Sequence, residues 1–233
     1  MKEVLKELNL LRNPPKAKIL QGFFKTGKGE YGEGDLFLGI SVPQSRKIAI
    51  KYKNLPFSEI QKLLKLRIHE ARLIALLILV ENFKKADEKT RKVIYEFYLL
   101  STEYINNWDL VDLSAGNIVG NYLEEKDTSI LVKLAKSESL WERRIAVIST
   151  FDFIMHKNAK ETLKIAEILI NDKEDLIQKA VGWMLREVGK RVSQEVEEEF
   201  LNKYYRTMPR TTLRYAIERF DPKLREKYLK GFI

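Results

Sequence analysis

A spacing of about 36 residues, set in an almost continuous helical pattern, constrains the fold of this chain most strongly. Its repeated theme is a cation followed by small and apolar residues, which suit burial against a neighbouring helix. Trp108 takes one place in the row, and successive places lie 36, 36, 35 and 35 residues apart: Arg72, Trp108, Arg144, Lys179 and Arg214. Such periods are typical of helix–turn–helix units that stack into a superhelix. We therefore predict an all-α superhelix of helical repeats with a basic concave face.

Glycine and proline are concentrated near the start of the chain, where six of the eleven glycines lie from Gly22 to Gly39. Beyond this region apolar residues recur with helical periodicity, and alternating β patterns are missing. We predict helices at 2–12, 15–26 and 43–53, and Ser58 with Gln61 as the capping box of the next helix. Further helices are predicted at 68–82, 88–100, 107–123, 128–136, 140–156, 159–170, 174–190, 193–206, 209–220 and 222–231.

We expect one domain over residues 1–233, with N-terminal helices and a glycine-rich loop in 1–57 and the repeat array in 58–233. The loop, Gly27 to Gly39, lacks the Gly-x-x-x-x-Gly-Lys-Ser/Thr pattern, and no strand precedes it. A nucleotide-hydrolysing site is therefore not expected there. The loop is instead expected to shape how the chain joins the array.

Composition narrows the classes of function. The net charge of +9 and the isoelectric point near 9.4 make nucleic acid or another polyanion a plausible partner, although Lys and Arg also solvate helix faces. Cysteine is absent, and the two histidines, His69 and His156, stand in no metal-ligand pattern, so no metal and no cofactor are expected. We expect the N-terminal residues to begin an amphipathic helix rather than to form a signal peptide, and the apolar run Leu73–Val80 is too short to span a membrane. We expect a soluble, cytoplasmic monomer.

Trp108 and Asp112 lie four residues apart, so on a helix an indole and a carboxylate project from one face. One interpretation is a core aromatic beside a surface acid, with Asp109 near a helix N-terminus. The other uses the repeat alignment, in which Trp183 takes the place of Asp112 and Arg144 lies between them. Two indoles flanking a carboxylate suit a flat or sugar-like group, and a nearby Arg keeps the carboxylate ionised.

The remaining polar residues have simpler interpretations. His69 is expected to be a polar residue at a helix start, and Glu195 to Glu199 are expected to form an acidic helix face. We expect solvated helix-start or i,i+4 acids at the following positions: Glu70, Glu142, Glu174 and Asp175.

Four blocks, in order, carry a resemblance to a known family. They are Gly27 to Ile40 with Val42-Pro43 and Arg46-Lys47, Asn107 to Asp112, Trp141 to Arg144, and Gly182 to Arg186. Together they resemble the AlkD-type DNA alkylation repair glycosylases over residues 15 to 225.

The resemblance implies HEAT-like repeats whose concave face cradles duplex DNA containing alkylated bases. It also implies monofunctional hydrolysis of the N-glycosidic bond of 3-methyladenine and 7-methylguanine, without a base-binding pocket. Trp108, Asp112 and Trp183 match the catalytic residues of the family, and Arg144 matches its Arg, with the adjacent Arg143 as the other candidate. The DNA contacts are expected at Lys25, Lys28, Tyr31, Arg46, Lys47, Arg72, Arg143, Lys179 and Arg214.

The chemistry suits these residue types. Alkylation at N3 or N7 makes the purine cationic, so it is already a good leaving group. A carboxylate stabilises the oxocarbenium-like sugar or orients water, and indoles pack on the sugar and attract cationic charge. The main rival is a noncatalytic HEAT-repeat scaffold that binds nucleic acid or protein. A further alternative is binding of branched or damaged DNA without excision.

Overall fold

The computed structural model describes residues 1–233, and its regular structure is helical throughout. An isolated parallel bridge joins Leu36 to Ile68. The chain divides into two compact units, Met1–Ser114 and Ala115–Ile233, and the boundary between them lies inside the predicted repeat array. The prediction of an all-α helical-repeat fold is confirmed. None of the helices has the length and apolar composition that crossing a bilayer requires.

The first unit is built around one buried helix. Its helices are α1 (Lys2–Leu10), α2 (Pro14–Phe23), α3 (Val42–Lys51), α4 (Phe57–Leu64), α5 (His69–Lys85), α6 (Glu88–Leu99) and α7 (Trp108–Asp112), with a 3₁₀ turn at Thr102–Tyr104. Helix α5 packs against α1, α3, α4, α6 and α7. Its residues from His69 to Val80 are all buried, because other helices surround it, and the polar ones among them lie in its first turn.

The second unit is a double layer. Its helices are α8 (Asn121–Leu123), α9 (Ser129–Ala135), α10 (Leu140–Met155), α11 (Lys160–Leu169), α12 (Asp175–Arg191), α13 (Gln194–Tyr204), α14 (Arg210–Ala216) and α15 (Pro222–Lys230), with a 3₁₀ turn at Ile217–Arg219. Helix α12 packs between α10 and α14, while α9, α11 and α13 pack against this row. Each pair of consecutive helices thus adds one repeat.

Most predicted helix positions agree with the structure to within three residues, but two predictions are wrong. Helix α4 begins at Phe57 after Pro56 and has no side-chain cap, so the Ser58–Gln61 capping box does not form. The single helix predicted at 107–123 is broken after Asp112, and the chain continues as a π-helix at Gly116–Gly120 and the short α8. In this segment Gly120 approaches the Ser149 carbonyl so closely that a Cβ would lie 2.2 Å from its oxygen, so the packing against α10 requires glycine there.

Candidate active site

Trp108 and Asp112 are the first and last residues of α7, so they lie one turn apart on one face, as predicted. Both side chains are partly exposed. The helix begins at Asn107, which is fully buried and whose side-chain oxygen accepts the Trp108 N–H at 2.9 Å. Because α7 has only five residues, its own hydrogen bonds cannot fix its orientation, which depends on neighbouring groups.

Trp108 rests on a column of stacked rings. Its indole lies 5.0 Å from the Phe24 ring at 14°, and Phe24 lies 4.9 Å from Phe37 at 20°. Phe37 in turn stacks on His69, with ring centroids 4.3 Å apart. The exposed Phe23 packs edge-on against the indole at 5.8 Å. The column is not among the predicted features, although the adjacent aromatics Phe23 and Phe24 at the end of α2 are a signal for it.

A buried charged network lies at the base of the column. Nε2 of His69 is 2.8 Å from Oδ2 of Asp109, and Nδ1 is 3.5 Å from Oδ2 of Asp35. Arg72 forms an ion pair with Asp35 and donates to the Asn106 side chain. His69 does begin a helix, as predicted, but it is 2% exposed and bridges two carboxylates.

The network shifts the pKa values of its members. Burial opposes the positive charge of His69, but the negative charge of Asp109, the hydrogen bond that Asp109 accepts from His69 and the nearby Asp35 carboxylate outweigh it and raise the pKa of His69 above its ordinary value. Burial likewise opposes ionisation of Asp35, yet the close cationic groups of His69 and Arg72 lower the pKa of Asp35. Both shifts favour the charged forms.

Glu70 is not a solvated acid, so this prediction is wrong. It is 1% exposed, and its carboxylate accepts the backbone N–H groups of Leu38, Gly39 and Ile40 at 2.8–3.2 Å. At Gly39 the chain turns with φ +84° and presents these successive donors away from water. Since buried N–H groups need acceptors, Glu70 fixes the end of the glycine-rich loop on α5.

The other acids divide between solvent and interior. Glu174 and Asp175 are exposed at the start of α12, as predicted, and Glu142 is half-buried and accepts the Ser137 hydroxyl. The acidic face predicted at Glu195 to Glu199 is wrong at Glu197, which is 2% exposed. Its position in α13 turns it toward α12, because the helical period places it on the side of Phe200.

In the second unit the two candidate arginines have different environments. The Arg143 guanidinium donates to the Asp172 carboxylate at 2.7 Å and to the carbonyls of Ser137 and Glu138. Arg144 is buried in α10 and donates to the Leu176 carbonyl at 2.5 Å. Arg143 therefore stabilises the turn before α10, while Arg144 contacts the start of α12.

Trp183 lies partly exposed on α12, 6.4 Å from the Phe151 ring. The preceding Gly182 allows close packing of α14, because a Cβ there would lie 2.4 Å from the Thr212 carbonyl oxygen. The backbone position of Trp183 is thereby fixed by the contact between two helices.

The predicted DNA contacts fall into three classes of exposure. Exposed residues are Lys25, Lys28, Arg46, Lys47 and Arg214. Half-buried residues are Tyr31, Arg143 and Lys179, and Lys179 forms an ion pair with Asp175 at 2.6 Å. Arg72 is buried in the network with Asp35. The 36-residue register therefore places cations at equivalent helix positions but not in equivalent environments.

Comparison with known proteins agrees with the resemblance. A family model described as "DNA alkylation repair enzyme" matches residues 4–220, nearly the whole chain. The chain belongs to the DNA alkylation repair enzyme family. A solved structure described as a predicted DNA alkylation repair enzyme from Enterococcus faecalis is similar to this family member, with a TM-score of 0.67 and 18% identity, over 91% of this chain and 97% of the other. A search of curated proteins finds no match.

Proposed function

We propose that this member of the DNA alkylation repair family is a monofunctional DNA glycosylase. It hydrolyses the N-glycosidic bond of cationic alkylated purines, 3-methyladenine and 7-methylguanine, in duplex DNA. The observation that carries the proposal is the pair on α7, a Trp108 indole anchored on stacked rings and the Asp112 carboxylate one turn away. Membership of the repair family supports DNA as the substrate.

The alkylated purine is a good leaving group and needs little further activation. In the alkylated nucleotide the purine carries a positive charge, so the C1′–N bond breaks with its electron pair passing to the base, which leaves neutral. The sugar becomes oxocarbenium-like, water adds at C1′ and a proton is released. Asp112 stabilises the developing charge or orients the water, an electrostatic role typical of glycoside hydrolysis.

The other proposed site residues support this step. Trp108 and Trp183 pack on the sugar and backbone of the damaged nucleotide, and their faces attract the developing cation. Arg144 is the proposed arginine of the site, with the adjacent Arg143 as the other candidate. The lesion is held through its backbone and not in a base-binding pocket, which leaves room for bulkier adducts. Because the cationic purine is already a good leaving group, no metal or cofactor is proposed, and since no Lys is proposed as a catalytic residue, the enzyme does not cleave the strand.

DNA is held on a basic concave face by a single copy of the protein. The proposed phosphate contacts are the exposed cations Lys25, Lys28, Arg46, Lys47 and Arg214. Of the other proposed contacts, Tyr31, Arg143 and Lys179 are half-buried and Arg72 is buried in the network with Asp35. Phosphate contacts position the duplex without reading its sequence.

The decisive test is release of 7-methylguanine from a methylated duplex under single-turnover conditions. Wild type should exceed the uncatalysed rate, and Asp112→Asn should lose about 10²- to 10³-fold, the usual cost of removing one electrostatic stabiliser. Asp127→Asn is the matched control, because Asp127 is exposed and the amide oxygen can still accept the Ser129 N–H.

Each other outcome has a defined meaning. If wild type binds the duplex but releases no purine, the protein is a noncatalytic scaffold or a damage-binding protein. If Asp112→Asn is as active as wild type, the assignment of Asp112 is wrong.

A further inference from the structure

The start of α5 connects two distant parts of the first unit. His69 and Arg72 hold Asp35 at the end of the glycine-rich loop, while His69 also holds Asp109 on α7. We propose that His69 is a positioning residue, whose imidazolium lies between the carboxylates of Asp109 and Asp35 and fixes α7, and thereby the orientation of Trp108 and Asp112. This inference rests on the proposed glycosylase function.

The geometry gives His69 two connections to α7. Its Nε2 lies 2.8 Å from the carboxylate of Asp109, the residue next to Trp108. Its ring also begins the stacked column, through Phe37 and Phe24, that ends at the Trp108 indole. A displacement of the imidazole would therefore reach Trp108 through both the backbone of α7 and the stacked rings.

The bridge requires the protonated ring. A neutral imidazole carries one N–H, so it can donate to only one of two carboxylates, whereas the imidazolium donates to both. With that proton the buried group contains two cations, His69 and Arg72, and two anions, Asp35 and Asp109. Without it one buried negative charge lacks compensation, which is costly in a dry interior.

The groups that face His69 all act on the same equilibrium. Asp109 of α7 and Asp35 of the loop favour the imidazolium, while Arg72 of its own helix and burial oppose it, and the net effect raises the pKa of His69. The bridge is therefore complete below the ordinary pKa of 6.5 and is lost as pH rises through the raised value. The rate of purine release should therefore also fall as pH rises through that value; we call this fall the alkaline limb of the pH–rate profile.

The first test compares substitutions at the only two histidines of the chain. His69→Gln can donate to one carboxylate but carries no charge, so the single-turnover rate should fall by about 10- to 100-fold because Trp108 and Asp112 are misplaced. The Kd for duplex DNA should stay within about twofold, since phosphate contacts set it. The alkaline limb should disappear. The matched control, His156→Gln, removes a half-exposed histidine of the second unit and should leave rate and limb unchanged.

Two spectroscopic measurements do not depend on activity. In Trp141→Phe/Trp183→Phe, Trp108 is the only indole, and adding His69→Gln should increase its quenching by acrylamide. In His156→Gln, His69 is the only imidazole, and ¹⁵N NMR at neutral pH should show both ring nitrogens protonated. This second measurement needs no change at His69 and remains decisive if His69→Gln fails to fold.

The outcomes separate the two proposals. Absence of purine release by wild type rejects the glycosylase function, while quenching and NMR still report on the bridge. A neutral His69 ring, or a folded His69→Gln variant with wild-type rate and quenching, overturns the positioning role.

Discussion

Two buried glutamates illustrate how local environment decides the state of a side chain. Glu70 accepts backbone N–H groups of the loop at Leu38 to Ile40, so its burial is compensated. Glu197 is also buried, but its Oε1 has no hydrogen-bond partner. Burial and the negative charge of Glu198, opposed by Arg186, raise the pKa of Glu197 to about 9. The folded protein therefore holds Glu197 protonated at neutral pH.

A pH-dependent stability follows from Glu197. Its ordinary pKa is 4.5, so the unfolded chain releases the proton first, and stability is greatest below 4.5 and falls as pH rises toward 9. Glu197→Gln resembles the protonated acid and should become more stable than wild type as pH rises, by on the order of 1–3 kcal/mol at pH 8 relative to pH 5. Urea unfolding at both pH values measures the difference, and an equal difference at pH 5 and pH 8 would contradict it.

At the scale of elements, close helix packing depends on single glycines. Helix α14 lies so near α12 that a Cβ on Gly182 would be 2.4 Å from the Thr212 carbonyl oxygen and 2.5 Å from the Tyr215 Cβ. At Gly22, near the end of α2, a Cβ would meet nothing within 4 Å. We therefore expect the same substitution, Gly→Ala, to change the stability of the protein in opposite directions at these two positions.

We expect Gly182→Ala to destabilise the protein by about 1–3 kcal/mol, because the clash outweighs the better helix propensity of Ala. Gly22→Ala, the matched control, should stabilise it by up to about 1 kcal/mol, since only propensity changes. Chemical denaturation of both variants measures the two effects. Equal changes in both variants would show that α12 and α14 have room for a methyl group at Gly182.

The helix that carries the candidate site depends on distant elements for its position. Helix α7 has five residues, and the groups that hold Trp108 come from α2, the glycine-rich loop and α5. A short helix is an advantage here, because a short segment can be oriented by its contacts without distorting the repeat around it. The break after Asp112 is consistent with this arrangement.

At the scale of the whole molecule, the excess of positive charge is expected to govern DNA affinity. The net charge is +9, and five of the proposed contacts are exposed cations outside the buried network of His69 and Arg72: Lys25, Lys28, Arg46, Lys47 and Arg214. Each phosphate contact releases condensed counterions, so the logarithm of the affinity should fall linearly with the logarithm of the salt concentration. The salt dependence of DNA affinity thus gives the number of phosphate contacts, and its measurement does not require catalytic activity.

We expect Arg214→Ala to weaken duplex binding and to reduce the steepness of the salt dependence by about 0.9, the contribution of one phosphate contact. Lys89→Ala is the control, because Lys89 is an exposed cation that is not among the proposed contacts. Fluorescence anisotropy at several salt concentrations measures both variants. An unchanged dependence in Arg214→Ala would remove this residue from the DNA surface.

Sequence alone determined the helical class, most helix positions and the repeat, because these follow from periodicity and from short turns between neighbouring segments. It also placed Trp108 and Asp112 on one face of a helix, since i,i+4 spacing is a local property. The register of Arg144, Lys179 and Arg214 is likewise local, as each is the fifth residue of its helix.

Only the tertiary structure decided which polar residues are buried. Glu70 and Arg72 have the charge pattern of solvated residues, yet their partners lie 30 or more residues away in the chain. The same holds for His69, whose two carboxylates come from a loop on one side in sequence and from α7 on the other. Burial and charge compensation depend on which distant segments meet, and no local pattern encodes that meeting.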